Sequence, residues 1–121
     1  MLLFDVNIYV YAHREDTSHH EPVKKFVDQA LSGDAPVGYS PLALSGFLRV
    51  VTHPKVMNPP TDLDLALEFC DSITSAFCSV PIVPGDAHWS IFTHILRASG
   101  AKGNLIPDAW FSALAVERGC T

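Results

Sequence analysis

The chain has 121 residues, enough for one domain, and its 48% hydrophobic content supplies the side chains of a substantial core. Its formal net charge of −5 argues against a protein that binds nucleic acid by positive charge alone. No apolar stretch reaches the ~20 residues that span a bilayer, and the N-terminus lacks the pattern of a signal peptide, so we expect a soluble cytoplasmic protein without a membrane partner.

The first apolar run, residues 2–4, predicts a strand buried on both faces, as in the centre of a parallel sheet. Such a strand brings Asp5 to the carboxyl edge of the sheet, where ligands and metals bind in α/β proteins. Asp5 also suits the N-cap of a helix that begins near Val6, because aspartate is a favoured residue at that position. These residues leave both roles of Asp5 open.

Residues 6–12 predict a short first helix, and the S-x-x-E motif at residues 18–21 predicts a capping box for a second helix. Within that motif, His19 and His20 are adjacent. Neighbours on a helix point about 100° apart, so we expect solvated histidines and not a metal-binding pair. The second helix should end before Gly33, and its predicted inner residues are Val23, Phe26, Val27, Ala30 and Leu31.

A second strand is predicted at residues 36–39, followed by a helix with Ser40 as N-cap and Pro41 at its first position. Apolar residues continue at helical spacing until His53 and Pro54 end the run. This strand and helix repeat the order of the first strand and helix, as expected for a parallel sheet.

Thr61 is predicted to cap a further helix after the rigid sequence of residues 58–60. Asp62 and Asp64 follow this cap and suit the positive end of the helix dipole, so a structural role is favoured over a catalytic one for both. The predicted inner face of the helix and the turn after it carries Leu63, Ala66, Leu67, Cys70, Ile73 and Phe77.

A third strand is predicted at residues 80–83, and Pro81 places it at the edge of the sheet. Asp86 then begins a helix that is closed by Gly100. His88 and His94 on this helix do not lie on one face, so we do not expect them to bind a metal together. The predicted inner residues are Trp89, Phe92, Ile95 and Leu96.

The last predicted helix leads from the segment 103–110 to Gly119. Pro107 fits its first position and Asp108 its second, where a carboxylate gains from the helix dipole even without a function. The resulting order, a strand and two helices repeated along the chain, predicts an α/β domain with a small parallel sheet flanked by helices. No repeat or linker interrupts residues 1–121, so we expect a single domain.

Two acids therefore stand out, Asp5 after the first strand and Asp108 at the start of the last helix. If that helix packs beside the first strand, both carboxylates reach the same edge of the sheet. Two carboxylates around one pocket are a usual arrangement for Mg²⁺ or Mn²⁺, with water and substrate phosphate completing the coordination.

Three motifs carry a resemblance to a known family. They are L-L-F-D-V-N-I-Y-V-Y-A at the start, S-G-F-L-R-V-V-T-H-P in the middle and G-N-L-I-P-D-A-W-F-S-A-L-A-V-E-R-G near the end. In this order they resemble PIN-domain ribonucleases of the VapC toxin type. The resemblance implies a PIN-like three-layer domain and a Mg²⁺- or Mn²⁺-dependent endoribonuclease that cleaves structured RNA such as tRNA or rRNA. It also implies a cognate antitoxin that blocks the site, and a homodimer.

By position in these motifs, the resemblance implies that Asp5 and Asp108 are metal ligands and that Asn7 supports them, which makes these three the predicted catalytic residues. The metal would generate a hydroxide near neutral pH, orient it towards the phosphodiester and stabilise the charge that develops on the leaving oxygen. The expected products are a 5′-phosphate and a 3′-hydroxyl.

The chain departs from the family pattern in two places. Many relatives carry a glutamate on the helix after the second strand, where this chain has Gly46. Relatives also continue with a strand that reaches a further aspartate, whereas the given sequence stops at Cys120 and Thr121. We therefore expect a C-terminally truncated domain without its last strand, and an unpaired sheet edge beside the first strand.

Two alternatives remain open. A catalytically impaired PIN-fold binding module would keep the antitoxin surface without a complete set of acids. An aspartyl-phosphate enzyme of the haloacid dehalogenase type also begins with an apolar strand that ends in aspartate. That family usually has D-x-D, whereas this chain has Asp5-Val6-Asn7. An RNA cleavage assay with and without Mn²⁺, paired with antitoxin binding, separates the enzyme from the binding module.

Overall fold

The computed structural model describes residues 1–121 and contains one parallel sheet of three strands. Strands β1 (Leu2–Leu3), β2 (Val37–Tyr39) and β3 (Ser79–Pro81) lie side by side in sequence order. In their register Leu2 is opposite Val37, and Gly38 is opposite Val80. The predicted α/β class with a small parallel sheet is confirmed.

Two helices follow each strand, as predicted. No helix is both long and apolar enough to cross a lipid bilayer. The helices are α1 (Val6–His13), α2 (His20–Ser32), α3 (Pro41–Val51), α4 (Leu63–Thr74), α5 (His88–Ser99) and α6 (Leu105–Arg118).

The main hydrophobic core is built by β1, β2 and helices α1 to α4 around an aromatic group. Tyr9 on α1 is fully buried, and its ring meets those of Phe4, Phe47 and Phe69 edge-on, with centroid distances of 6.0, 6.5 and 6.4 Å. Such edge-to-face pairs add to the energy of apolar burial. This packing fixes the start of α1, and with it the residue that joins α1 to β1.

Helices α5 and α6 pack mainly against each other and form a second, smaller cluster. Its buried residues are Phe92 on α5 and Ala109 and Ala113 on α6. His88, at the start of α5, is also buried, and its Nε2 lies 3.0 Å from the carbonyl oxygen of Trp110. The α5–α6 pair is therefore a packing unit beside the main core.

The start of α2 differs from the prediction. The helix begins at His20 with His19 as N-cap and no side-chain cap bond, so the predicted capping box does not form. A turn precedes the helix, in which the N–H of His20 donates to the carbonyl of Thr17. His20 is buried, and its Nδ1 donates to the carbonyl of Tyr11 at 2.8 Å, so the prediction of a solvated side chain is wrong for His20.

Thr61 is not the cap of α4. The N-cap is Asp62, which makes no side-chain cap bond. The hydroxyl of Thr61 instead accepts a hydrogen bond from Nη1 of Arg14 at 3.2 Å, and His13 Nε2 lies at the same distance from it. Thr61 therefore joins the end of α1 to the loop before α4.

Several side chains that were predicted to face inward are exposed. Phe77 lies beyond the end of α4, where helical spacing no longer applies, and it is 97% exposed. The other exposed side chains lie on the apolar faces of their helices, but outside the area that neighbouring helices cover. They are Phe26, Leu63, Leu67 and Trp89.

The two edges of the sheet differ. Strand β3 is an edge strand, as predicted, and Pro81 provides no N–H there. Beside β1, the N–H of Thr121 donates to the carbonyl of Met1 at 2.9 Å, and the N–H of Leu3 donates to the carbonyl of Thr121 at 3.2 Å. The edge that we expected to be unpaired is thus partly paired by Thr121.

Candidate active site

Asp5 follows β1 directly and is the N-cap of α1, so it occupies both positions that the sequence left open. Its Oδ1 accepts the N–H of Ile8 at 3.3 Å, while Oδ2 makes no hydrogen bond within the chain. The side chain is exposed. The cap bond therefore orients the carboxylate and leaves one oxygen free for a ligand.

Asp108 lies one turn into α6, which begins at Leu105. Pro107 and Asp108 are therefore the third and fourth residues of the helix, not the predicted first and second. Gly103 adopts a left-handed conformation with φ of 56° and accepts the N–H of Ile106, so the helical turn begins earlier than the proline suggests. The carboxylate of Asp108 is exposed and makes no hydrogen bond within the chain.

Asp5, Asn7 and Asp108 line one open cavity of about 350 Å³ at the carboxyl end of β1. The structure thus brings the three predicted site residues together, with Asp5 and Asn7 at the start of α1 and Asp108 on α6. The cavity is completed by Leu3, Phe4, Phe111, Ser112 and Ala115.

The three predicted site residues bring the oxygens of two carboxylates and one amide to this cavity, and Ser112 adds a hydroxyl. Mg²⁺ prefers oxygen ligands, and it is usually held by one or two protein carboxylates together with water and substrate phosphate. The residues present therefore fit a divalent cation of this kind. Nowhere in the chain do three histidine, cysteine or acidic side chains gather closely enough to hold a metal among themselves.

No histidine lines the cavity. The two buried histidines, His20 and His88, are engaged with the backbone carbonyls of Tyr11 and Trp110. General acid or base chemistry by an imidazole is therefore not provided at this site, and proton transfer would fall to the carboxylates or to water.

Gly46 is placed where α3 crosses α1. A Cβ atom at this position would lie 2.9 Å from Cγ2 of Val6, the residue after Asp5. That distance is too short for an unstrained contact, so the two helices require glycine here for their close approach. Gly46 thus helps to fix the start of α1, at the position where the family resemblance led us to expect a glutamate.

Three residues of α6 that line the cavity were not predicted from the sequence: Phe111, Ser112 and Ala115. Ser112 follows Asp108 by one helical turn and therefore shares its face, so helical spacing could have identified it. Its hydroxyl donates to the carbonyl of Asp108 at 2.9 Å. Phe111 packs against the main core and connects α6 to it.

Comparisons with known proteins give matches over the whole chain. The profile of the PIN domain family matches residues 2–121. A VapC ribonuclease of Mycobacterium bovis is 36% identical over 121 residues, which are 100% of this chain and 82% of the relative. Ribonuclease VapC43 of Mycobacterium tuberculosis gives the same values. Ribonuclease VapC25 of that organism is 32% identical over 120 residues, covering 99% of this chain and 84% of the relative.

Proposed function

The chain belongs to the PIN-domain family and to its VapC ribonuclease group, and we propose on this basis that it is the toxin endoribonuclease of a toxin–antitoxin pair. The observation that carries the proposal is the meeting of Asp5, Asn7 and Asp108 in one open cavity. Asp5 and Asp108 lie 103 positions apart in the numbering, so their convergence is a property of the fold and not of one local motif.

The proposed cofactor is Mg²⁺ or Mn²⁺, held by the carboxylates of Asp5 and Asp108. When bound, such an ion supplies a nucleophilic hydroxide near neutral pH and neutralises charge on the phosphate. It also reverses the local sign of the electric field, which lets a chain with a net charge of −5 receive a phosphodiester.

The residues of the chain prepare this site before a substrate arrives. The hydrogen bond from the N–H of Ile8 to Oδ1 orients the carboxylate of Asp5, so this side chain needs little further ordering when a metal ion binds. Asn7 lies in the first turn of α1 and presents an exposed amide at the same cavity, where it would position a ligand water or a phosphate oxygen.

The proposed substrate is a structured RNA such as tRNA or rRNA, cleaved to leave a 5′-phosphate and a 3′-hydroxyl. The cavity is open to solvent, so an RNA backbone could reach it from outside. We also propose a cognate antitoxin that covers this cavity, and assembly of the chain as a homodimer. The proposed location is the cytoplasm, where the protein would encounter both the RNA and the antitoxin.

The proposal is tested with Asp5→Asn and Asp108→Asn. Asparagine is as good an N-cap as aspartate, so Asp5→Asn keeps the start of α1 while it removes the charge. Both variants should lose Mn²⁺-dependent cleavage of tRNA and rRNA by at least about 10²-fold, measured on gels, with unchanged circular dichroism. The matched control is Asp64→Asn, an exposed acid on α4. Full activity in either site variant would refute the assignment.

A second candidate is a catalytically impaired PIN-fold module that retains antitoxin binding. It is favoured by one observation, that the cavity is lined by two acidic side chains, Asp5 and Asp108, and no third. Tight binding to the antitoxin, together with no cleavage in Mn²⁺ at any enzyme concentration, would select this candidate over the nuclease.

A further inference from the structure

The last turn of α6 is anchored to the segment between β3 and α5 by two adjacent charged residues. Glu117 accepts the N–H of Gly85 at Oε1, at 2.7 Å, and the N–H of Ala87 at Oε2, at 3.0 Å. Arg118 donates from Nε and Nη2 to the carbonyl of Val83, at 3.0 and 2.8 Å. We call these two side chains and the backbone that they bind the C-terminal clamp.

The carboxylate of Glu117 is well suited to this role. Its side chain is only 9% exposed, and both of its oxygens accept backbone N–H groups. The bond from Gly85, with help from Ala87 and the charge of Arg118, holds the pKa of Glu117 below its usual value. Glu117 is therefore ionised at neutral pH, and its hydrogen bonds are charge-assisted, which makes them stronger than neutral ones.

Gly85 is a second, independent sign that the clamp is built for close approach. A Cβ atom there would lie 2.8 Å from Oε2 of Glu117 and 3.1 Å from Nη2 of Arg118. A methyl group at this position would shift the flexible ends of these two side chains. The backbone of Gly85 is not left-handed, so it is the available space and not backbone strain that favours glycine here.

The opposite end of α6 carries Asp108, roughly 14 Å from Glu117 along the helix axis. Neither Asp108 nor the N-cap of the helix is held by its own side chain: the carboxylate of Asp108 makes no hydrogen bond within the chain, and Asn104 makes no side-chain cap bond. The nearest polar contact between helices is that of His88 on α5, whose Nε2 lies 3.0 Å from the carbonyl oxygen of Trp110. The position of the Asp108 carboxylate therefore follows from the placement of α6 as a whole.

We infer that Glu117 is a positioning residue for Asp108. The inference rests on the proposed function, in which Asp108 is a metal ligand. Directional hydrogen bonds at the clamp fix the rotation and the axial position of α6. The apolar α5–α6 cluster holds one side of α6, and the clamp adds directional hydrogen bonds at its last turn. A helix transmits a shift of one end to the other, and a misplacement of about 1 Å at a reacting group costs up to about 10²-fold in rate.

Three variants separate the parts of the clamp. Glu117→Gln keeps the shape and the acceptor for Gly85 but cannot accept the N–H of Ala87. Glu117→Ala removes both acceptors. Gly85→Ala retains the carboxylate of Glu117, but the added Cβ hinders its close approach to the backbone of residue 85. The matched control is Glu68→Gln, an exposed glutamate on α4 whose side chain makes no hydrogen bond within the chain.

The first measurement is the ¹H–¹⁵N NMR spectrum of the full chain without metal. The amide signals of Asp108 and Ser112 should shift in the three clamp variants, with Asp5 nearly unchanged, and none should shift in the control. The second measurement is a titration with Mn²⁺, followed by paramagnetic broadening of the same amides. The affinity should fall about 10- to 100-fold in the clamp variants, least in Glu117→Gln, as is typical when the support of a metal ligand is removed.

The third measurement is RNA cleavage in Mn²⁺. At limiting Mn²⁺, kcat should fall by about the same factor as the affinity for Mn²⁺. The KM for RNA should stay within about threefold of the wild-type value. This split separates a shifted Asp108 from a general loss of RNA binding.

Folded clamp variants with wild-type signals at Asp108 and wild-type Mn²⁺ affinity would overturn the inference. Loss of structure in all three variants would also overturn it, because the clamp would then be a requirement of folding and not a positioning element. A wild-type chain that binds Mn²⁺ at Asp5 and Asp108 but cleaves no RNA would remove the proposed function, and the two NMR measurements would still decide the role of Glu117.

Discussion

Asp5 and Asp108 meet in one cavity, but the two halves of the molecule that hold them are built differently. Asp5 is fixed from nearby, because it joins β1 to α1 and α1 is embedded in the aromatic group around Tyr9. Asp108 lies on the α5–α6 pair, which has its own small cluster and is anchored at the far end of α6. The difference indicates that the main core is a rigid frame, and that the geometry of the site depends on how the α5–α6 pair is seated beside it.

The largest expected effect comes from the frame. Phe47 is fully buried in the main core, and Phe47→Ala should lower the free energy of unfolding by about 3–5 kcal/mol, measured by urea denaturation. The matched control is Phe77→Ala, since Phe77 is 97% exposed and its loss should change stability by less than about 0.5 kcal/mol. If the two variants differed by less than about 1 kcal/mol, the main core would not be the frame described here.

A local effect is expected from the corresponding aromatic residue of the α5–α6 pair. Phe92→Ala should destabilise by about 3 kcal/mol, the low end for such a change, because Phe92 packs in the smaller cluster. Native-state hydrogen exchange should show faster exchange in α5 and α6 with little change in α1 and α3. Equal acceleration in all four helices would show that the two halves unfold as one unit.

The clamp adds a pH dependence to the α5–α6 half. Because the folded-state pKa of Glu117 is below its usual value of 4.5, the stability that it contributes is fully present above pH 4.5 and is lost as the pH falls through the folded-state pKa. The stability difference between the wild type and Glu117→Gln should therefore be constant at neutral pH and shrink under acid conditions. Urea denaturation of both proteins over this range measures it. A difference that does not change with pH would refute the role of the charge.

The smallest effect is expected at Tyr9. Its hydroxyl is buried without a hydrogen-bond partner, and burial, with the nearby charges of Cys70 and Asp5, raises the pKa of the phenol. An unsatisfied buried polar group is unfavourable, so Tyr9→Phe should leave stability unchanged or raise it by up to about 1 kcal/mol in thermal or urea unfolding. A clear loss of stability would show that the hydroxyl has a partner in solution.

Asn7 was indicated only by the family resemblance, whereas the sequence itself predicted the order of the elements and singled out Asp5 and Asp108. Apolar runs and helical spacing are local signals, which is why these predictions succeed. The sequence was wrong where the outcome depends on neighbouring elements: β1, predicted at the centre of the sheet and buried on both faces, is a half-buried edge strand. The burial of His20 depends on a carbonyl of α1, and the exposure of Trp89 reflects the absence of a covering helix. The clamp had no signal at all, since Glu117 binds backbone N–H groups of a distant loop and not a complementary side chain.

The proline in β3 has a consequence for how molecules of this protein can associate. Backbone pairing between copies needs free N–H groups along an outer strand, and Pro81 removes one on the β3 side. Two copies that paired through their β3 edges would each lack the hydrogen bond of that residue, so Pro81 disfavours strand-to-strand association on this side of the sheet.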